Sequence, residues 1–253
     1  MLNLKKVIKF LLPNYFIVLI KNLIIDYNLK KYEKLSNKEI FGTIYKSKIW
    51  NDKNKIDDKK FNSGPGTDNI KFVIQYVKNL ENLFKTFKNK PIIADVGCGD
   101  FEIGSKLVEF SSKYYAIDVF EDLINFNKKK FLNLKVDFLT LDITKDDLPY
   151  ADVYILRTVL QHLSNKAISN FLLNMKNKCK FLIITEHLPD KRIIDFTPNK
   201  DITSGPYIRL YKNSGVDLTK KPFNLKVNDK KTLFISESKN MEGILDTTLL
   251  EIK

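Results

Sequence analysis

Cysteine, histidine and arginine are scarce in this chain of 253 residues. The two cysteines, Cys98 and Cys179, are too few for a disulfide framework or a zinc site, and they fit the reducing cytoplasm in which we expect the protein to reside. The two histidines leave no dense set of metal ligands, so we predict no metal site. Hydrophobic residues (43%) and charged residues (29%) occur in ordinary proportions, which excludes a mostly disordered chain.

Acidic residues are outnumbered, 30 against 43 basic ones, and the net charge is +13. Only Arg157, Arg192 and Arg209 are arginines, and the lysines are spread over most of the chain among many asparagines and isoleucines. We interpret this charge as a compositional bias on a solvated surface and do not favour nucleic acid as a partner. An anionic small substrate or an anionic membrane surface would explain it equally well.

No uncharged apolar run is long enough to span a bilayer. The longest, Phe10–Ile20, is bounded by Lys9 and Lys21 and interrupted by Pro13, whereas a spanning helix needs about 20 apolar residues. No small-residue cleavage site follows, so a signal peptide is not expected. Residues 1–30 form either a helix lying on an anionic membrane surface or helices packed on the domain or on a second subunit, and we favour packing.

Short apolar runs alternate with amphipathic helices after Pro91. The predicted strands are Ile92–Val96, Tyr114–Ile117, Val136–Leu141, Val153–Leu156 and Phe181–Thr185. The predicted helices lie near 101–110, 120–130 and 164–177. This alternation is typical of a doubly wound α/β fold, with a mostly parallel sheet covered by helices on both faces.

The two ends of the chain extend this α/β core. Thr232–Ser236 and Ile244–Ile252 predict an antiparallel hairpin at the sheet edge, which makes seven strands. Helical spacing of apolar residues predicts a helix over Asn69–Phe87. We therefore divide the chain into an N-terminal helical extension, residues 1–60, and a domain of residues 61–253.

A glycine turn follows the first strand in the segment Asp95–Asp100. Gly97 allows a sharp turn and Gly99 lets a ligand approach the backbone, while the next helix would supply free N–H donors. Asp118 ends the second strand, where an acidic side chain accepts hydrogen bonds from ribose hydroxyls. Asp142 follows the third strand, at the place of an adenine amino group.

The acids around this turn select the type of nucleotide. A dinucleotide fingerprint requires a third glycine at position 102, but Glu102 stands there, and Asp100 adds a second charge that would repel a pyrophosphate. Asp95 suits a cationic ligand that carries an amino group and a sulfonium.

These residues resemble the first three motifs of class I S-adenosylmethionine-dependent methyltransferases. The resemblance covers residues 63–253 and implies S-adenosylmethionine as the cofactor of a Rossmann-like fold. It implies the following cofactor-binding set: Asp95 and the backbone of Gly97, Cys98 and Gly99 at the methionine moiety, Asp118 and Val119 at the ribose, Asp142 and Ile143 at the adenine, and Arg157 at the end of the fourth strand. Phe101 departs from the pattern, because many members have glycine there.

A narrower resemblance is to small methyltransferases encoded in bacterial surface-polysaccharide (capsule) clusters. Its segments are Ser63–Thr67, Val96–Asp100, Leu160–Ser164, Asn199–Ile202 and Pro222–Leu225. It implies O-methylation of a small sugar-like precursor of surface glycan, with Asp201, Tyr207 and Arg209 at the substrate. An RNA methyltransferase and a non-catalytic membrane-associated module are the alternatives.

Both histidines follow predicted strands, His162 the fourth and His187 the fifth. Ligands of open α/β sheets bind beyond the carboxyl ends of the strands, so either imidazole is a candidate base for an acceptor hydroxyl. Alternatively, His162 packs on the following helix and His187 lies in a solvated loop. A metal ion bridging them, assisted by Glu186 or Asp201, is a third interpretation.

The three arginines predict an anionic acceptor, such as a phosphorylated or nucleotide-activated sugar. Guanidinium groups bind phosphate or carboxylate through two parallel hydrogen bonds, and arginine is otherwise absent from this lysine-rich chain. Ordinary structural pairs are the alternative. The segment Arg157–Leu160 lacks the Asn/Asp-Pro-Pro-aromatic sequence of enzymes that methylate amino groups of a flipped base.

Overall fold

A seven-stranded sheet forms the centre of the computed structural model, which describes residues 14–51, 60–64, 69–190, 196–237 and 242–253. The strands are β1 (Ile92–Val96), β2 (Lys113–Asp118), β3 (Asp137–Thr140), β4 (Val153–Arg157), β5 (Phe181–Leu188), β6 (Val227–Ser236) and β7 (Ile244–Ile252). Their order is β3-β2-β1-β4-β5-β7-β6. Strands β1 to β5 pair in parallel, and β7 runs antiparallel to both β5 and β6. The predicted doubly wound sheet with its antiparallel hairpin is confirmed.

The central strands are buried on both faces. In β1, Ile93 packs on one side of the sheet, and Ala94 and Val96 pack on the other. A parallel strand covered on both faces is mostly apolar, which is why these segments stand out as apolar runs. The edge strand β6 is exposed over residues 228–232 and carries Lys230 and Lys231, which disfavour edge-to-edge pairing with other chains.

Five α-helices are present in the described residues. They are α1 (Asn14–Leu29), α2 (Asn37–Lys46), α3 (Ile70–Lys85), α4 (Glu121–Lys130) and α5 (Asn165–Asn174). Helix α3 buries Leu80 and Phe84 against one face of the sheet, whereas α5 buries Ile168 and Phe171 against the other. The Ser164 hydroxyl accepts a hydrogen bond from the Ala167 amide at the start of α5, which satisfies a free N–H of its first turn.

The predicted helix over 101–110 is wrong. Two short 3₁₀ turns, Gly104–Lys106 and Val108–Phe110, occupy this segment. Phe101 has φ +60°, outside the right-handed helical region, and its ring is fully buried against Phe138 at a centroid distance of 5.0 Å. The α-helical N-terminus expected to supply free donors at this place is therefore missing.

The N-terminal extension packs on the domain through Leu29, Tyr32, Ile40 and Ile44, whose buried side chains form a cluster with Tyr207 and Tyr211. The Tyr211 hydroxyl also donates a hydrogen bond to Asp26 Oδ1 at 2.8 Å. In the described residues, no helix has the length and apolar character that crossing a membrane requires.

Candidate active site

A cavity of about 1020 Å³, including its open mouth, lies beyond the carboxyl ends of β1, β2 and β4. This is the position at which open α/β sheets bind ligands. All of the predicted cofactor-binding residues line it: Asp95, Gly97, Cys98, Gly99, Asp118, Val119, Asp142, Ile143 and Arg157.

The glycine turn after β1 adopts left-handed backbone conformations, with φ +76° at Gly97 and +56° at Gly99. The amides of Gly97 and Cys98 both donate to the Ile117 carbonyl, which fixes the turn against β2. A Cβ on Gly97 would lie 2.5 Å from Val159 Cγ2, and one on Gly99 would overlap the Ser63 hydroxyl. The close approach at Gly99 that the sequence suggested for a ligand is thus made by Ser63 of the chain itself.

Four carboxylates of the cavity are buried, those of Asp95, Asp100, Asp118 and Asp142, and the pKa values of Asp95 and Asp118 are raised. Asp118 accepts hydrogen bonds from the amides of Gly99 (3.2 Å) and Phe120 (3.1 Å), and burial raises its pKa to about 6 against the effect of these donors. Burial raises the pKa of Asp95 to about 7, although the Tyr114 hydroxyl and the charge of Arg157 lower it. A cationic ligand would stabilise both ionised carboxylates, so the pair fits a ligand with an ammonium group better than a polyphosphate.

Asp142 connects the cavity to the N-terminal extension. Its Oδ1 accepts hydrogen bonds from Asn37 Nδ2 (3.0 Å) and from the amide and the hydroxyl of Thr144. Three donors on one oxygen hold this carboxylate in place at the cavity rim. Its predicted role toward an adenine amino group stays a prediction, in which Oδ2, 3.8 Å from Lys145 Nζ, would be the accepting oxygen.

Aromatic side chains of the N-terminal extension form one wall of the cavity, and no motif in the sequence indicated this role. Phe41 and Tyr45 from α2 and the following Trp50 line the cavity. The ring centroid of Trp50 lies 5.3 Å from that of Tyr45 and 5.0 Å from that of His162. Ser63 Oγ accepts a hydrogen bond from the Asp100 amide at 2.7 Å. The predicted boundary at residue 60 therefore cuts through the wall of one site.

His162 is the histidine that lines the cavity. Its Nε2 lies 3.3 Å from the side-chain nitrogen of Gln161, whose Oε1 accepts a hydrogen bond from the His187 amide. With the Gln161 amide in this orientation, its NH₂ group faces His162, so Nε2 of that ring carries a lone pair. Burial lowers the pKa of His162 to about 4, and the imidazole is neutral at physiological pH.

His187 does not face the cavity, and the prediction that both imidazoles project into it is wrong for this residue. Its Nε2 forms a hydrogen bond with the Glu242 carbonyl oxygen, and burial lowers the pKa of the imidazole. Glu186 is buried, with Arg209 as its charge partner. The described residues contain no group of three potential metal ligands, so the proposed bridging arrangement is not assembled there.

The predicted acceptor-binding residues lie away from the cavity. Arg209 is 1% exposed and donates hydrogen bonds to the carbonyls of Leu160, Leu163 and Lys200 and to Asn165 Oδ1. These contacts tie its loop to the segment before α5, and they use the guanidinium fork that was expected to bind an anion.

Asp201 and Tyr207 also have contacts within the protein. Asp201 Oδ1 accepts a hydrogen bond from the Asn165 amide at the first residue of α5, and Tyr207 packs on the cluster around Leu29. Arg192 lies outside the described residues. Of the three arginines, Arg157 alone lines the cavity within the described part of the chain, where its guanidinium lies 5.2 Å from the ring centroid of Tyr76.

Comparisons with known proteins agree with this geometry. A family described as an O-methyltransferase domain matches residues 27–194, a range that includes α2 and Trp50. The N-methyltransferase NodS from Bradyrhizobium japonicum WM9, solved in complex with S-adenosyl-L-homocysteine, is similar with a TM-score of 0.54 and 13% identity, covering 76% of this chain and 94% of NodS.

The magnesium protoporphyrin IX methyltransferase ChlM from Synechocystis PCC 6803, solved with bound S-adenosyl-L-homocysteine, is similar with a TM-score of 0.51 and 12% identity, covering 84% of this chain and 94% of ChlM. At these identities the structural similarity shows the fold. No curated protein sequence is significantly similar to the chain.

Proposed function

The chain belongs to the O-methyltransferase domain family, and we propose that it transfers the methyl group of S-adenosylmethionine to a hydroxyl of a small, polar, sugar-like acceptor. This proposal rests on a single cavity that brings two kinds of group together. Buried carboxylates line it beside the glycine turn, and the neutral imidazole of His162 lines it near the N-terminal extension. The first set of groups suits a cationic nucleoside, and the second suits a hydroxyl that must lose a proton.

The acids of the turn would hold the cofactor. S-adenosylmethionine, when bound, supplies an electrophilic methyl carbon on a positively charged sulfur. Asp95 would face its ammonium group, because burial raises the pKa of this carboxyl to about 7 and a cation beside it would favour the ionised form. Asp118 would accept hydrogen bonds from the ribose, because backbone amides such as those of Gly99 and Phe120 hold its two oxygens in place and a carboxylate can accept more than one bond per oxygen.

His162 would receive the proton of the acceptor. The imidazole is neutral, and its Nε2 makes a 3.3 Å contact with Gln161, which an acceptor hydroxyl can replace. As the acceptor oxygen gains the methyl group, its O–H bond breaks and the proton passes to Nε2. Orientation of the hydroxyl contributes the larger part of the acceleration, because the leaving sulfide is neutral and stable.

A sugar-like precursor of surface glycan remains the proposed acceptor class. Its support is the narrower sequence resemblance, two of whose segments supply Ser63 and His162 to the cavity. The case for an anionic acceptor is weaker, because Arg209 is used within the protein and Arg157 stands beside the buried Asp95. We therefore place neutral sugars first among the candidates and anionic, nucleotide-activated sugars second.

Turnover on a panel of acceptors tests this function. The protein is incubated with radiolabelled S-adenosylmethionine and with free hexoses, nucleotide-activated sugars, phenols or RNA. Label in a sugar product supports the proposal. Label in RNA that is lost on nuclease treatment would replace it by the RNA alternative, and cofactor binding without any turnover would favour a non-catalytic module.

We also propose that the outer face of α1 lies on the inner, anionic surface of the cytoplasmic membrane. Six of its large side chains recur at helical spacing and are 43–73% exposed: Phe16, Leu19, Ile20, Leu23, Ile24 and Tyr27. Residues 1–34 contain seven lysines against two acids. An apolar helix face within a basic segment fits an anionic bilayer better than a second copy of the same charge.

Co-sedimentation with phosphatidylcholine vesicles, with and without phosphatidylserine, tests the membrane proposal. Binding should require phosphatidylserine and should be lost in Leu23→Gln/Ile24→Gln. Ile74→Gln, at an exposed isoleucine of α3, is the matched control and should bind normally. Absence of sedimentation together with a dimer in analytical ultracentrifugation would assign this face to a second copy instead.

A further inference from the structure

Trp50 presents a fixed aromatic surface to the cavity, beside the candidate base. It lines the cavity and is half-buried, and its ring centroid lies 5.0 Å from that of His162. Phe41 lies next to it at 6.2 Å and lines the same cavity. These rings come from the N-terminal extension, whereas the acids of the turn come from the sheet.

The surroundings of Trp50 hold its indole in one orientation. Tyr45 meets the ring edge-on at 86°, and the indole nitrogen donates a hydrogen bond to the Pro206 carbonyl at 3.3 Å. The side chain is therefore braced from α2 on one side and from the loop that follows β5 on the other. A ring that is already ordered loses little conformational entropy when a ligand packs on it.

We propose that Trp50 and Phe41 form the acceptor subsite and that a sugar ring lays its C–H face on the indole. This inference rests on the proposed function. The cavity joins the apolar plane to polar groups, among them Asn37, Ser63 and His162. A pyranose has a matching combination of an apolar face and a rim of hydroxyls. A simple phenol has one hydroxyl and would leave most of these polar groups of the cavity without a ligand partner.

Trp50 is the only tryptophan of the chain, so its fluorescence reports on this subsite alone. The protein is saturated with S-adenosyl-L-homocysteine and then titrated with methyl hexosides, nucleotide-activated sugars and phenols. A saturable change in emission should occur with the sugars that are methylated, and its dissociation constant should follow their KM. Saturable changes with phenols alone would overturn the choice of a sugar.

Substitution of Trp50 separates stacking from folding. Trp50→Ala should raise the acceptor KM about tenfold or more and leave kcat within about threefold, and Trp50→Phe should recover most of the loss. The dissociation constant of S-adenosyl-L-homocysteine, measured by calorimetry, should stay within about threefold in both variants, which shows that the cofactor site is folded.

Two failures have different signatures. An unchanged acceptor KM in Trp50→Ala, while sugars are still methylated, would refute the subsite and leave the proposed function standing. If the wild-type protein binds S-adenosyl-L-homocysteine but methylates no sugar, the acceptor class of the proposed function is itself wrong.

Discussion

Lowering the pH from 8 to 6 should weaken binding of S-adenosyl-L-homocysteine about tenfold or more. Burial raises the pKa of Asp95 to about 7 and that of Asp118 to about 6. The carboxylates are ionised above these values, and an ammonium-bearing ligand binds the ionised form. Affinity should therefore rise with pH through this window and level off above about pH 8.

The magnitude follows from the titration of Asp95. With a pKa of about 7, roughly a tenth of the molecules carry an ionised Asp95 at pH 6 and roughly nine-tenths do at pH 8. Asp118 contributes about a further factor of two, because it is half ionised at pH 6. His162, whose pKa is lowered to about 4, stays neutral across the window and does not contribute.

Isothermal titration calorimetry at pH 6, 7 and 8, in buffers of different ionisation enthalpy, gives both the affinity and the number of protons released. About 1.4 protons should leave on binding at pH 6, roughly 0.9 from Asp95 and roughly 0.5 from Asp118. Asp95→Asn should bind more weakly at pH 8, and its affinity should change only about twofold between pH 6 and pH 8, because only Asp118 still titrates. Asp137→Asn, at an exposed carboxylate on β3, is the control and should behave like the wild type. An affinity constant within twofold between pH 6 and pH 8, or a full slope in Asp95→Asn, would refute the reasoning.

Three further substitutions test the assignment of individual residues. His162→Ala should lower kcat about 100-fold without changing cofactor affinity, and His187→Ala should keep kcat; equal losses in a methyl-transfer assay would contradict the choice of base. Asn37→Ala, which removes a donor to Asp142, should weaken S-adenosyl-L-homocysteine binding severalfold in calorimetry, and an unchanged constant would show that this contact does not support the site. Arg209→Met should lower the Tm by about 5–10 °C, because it leaves buried carbonyls unpaired; an unchanged Tm with a raised acceptor KM would return Arg209 to the acceptor.

The sheet and the cofactor side of the site could be predicted because their signals are local. Apolar runs such as Ile92–Val96 are set by burial on both faces, and the glycine turn follows the first of them directly in the sequence. Parallel strands bring their carboxyl ends to one edge, so Asp118 and Asp142 could be expected beside that turn without knowledge of the packing.

The segment after the turn could not be predicted in the same way. Its apolar spacing suggests a helix, but the positive φ of Phe101 is maintained by tertiary packing against Tyr114, Phe131 and Phe138. The acceptor wall has a similar origin, since the contact of Trp50 with His162 joins residues far apart in the sequence. The sequence feature that could have indicated this wall is Trp50 itself, because a single tryptophan is unusual in a lysine-rich extension.

The two histidines show why a position at a strand end does not by itself define a site. Strand β4 ends at Arg157, so His162 follows in a short turn that returns over the cavity. Strand β5 continues to Leu188 because β7 pairs with it in antiparallel register, and His187 is paired with Leu245 inside the sheet. The β7 partner is more than 50 residues downstream and extends β5 beyond its apolar run. The distinction between candidate base and structural histidine therefore lies in the hairpin, not in the sequence around either residue.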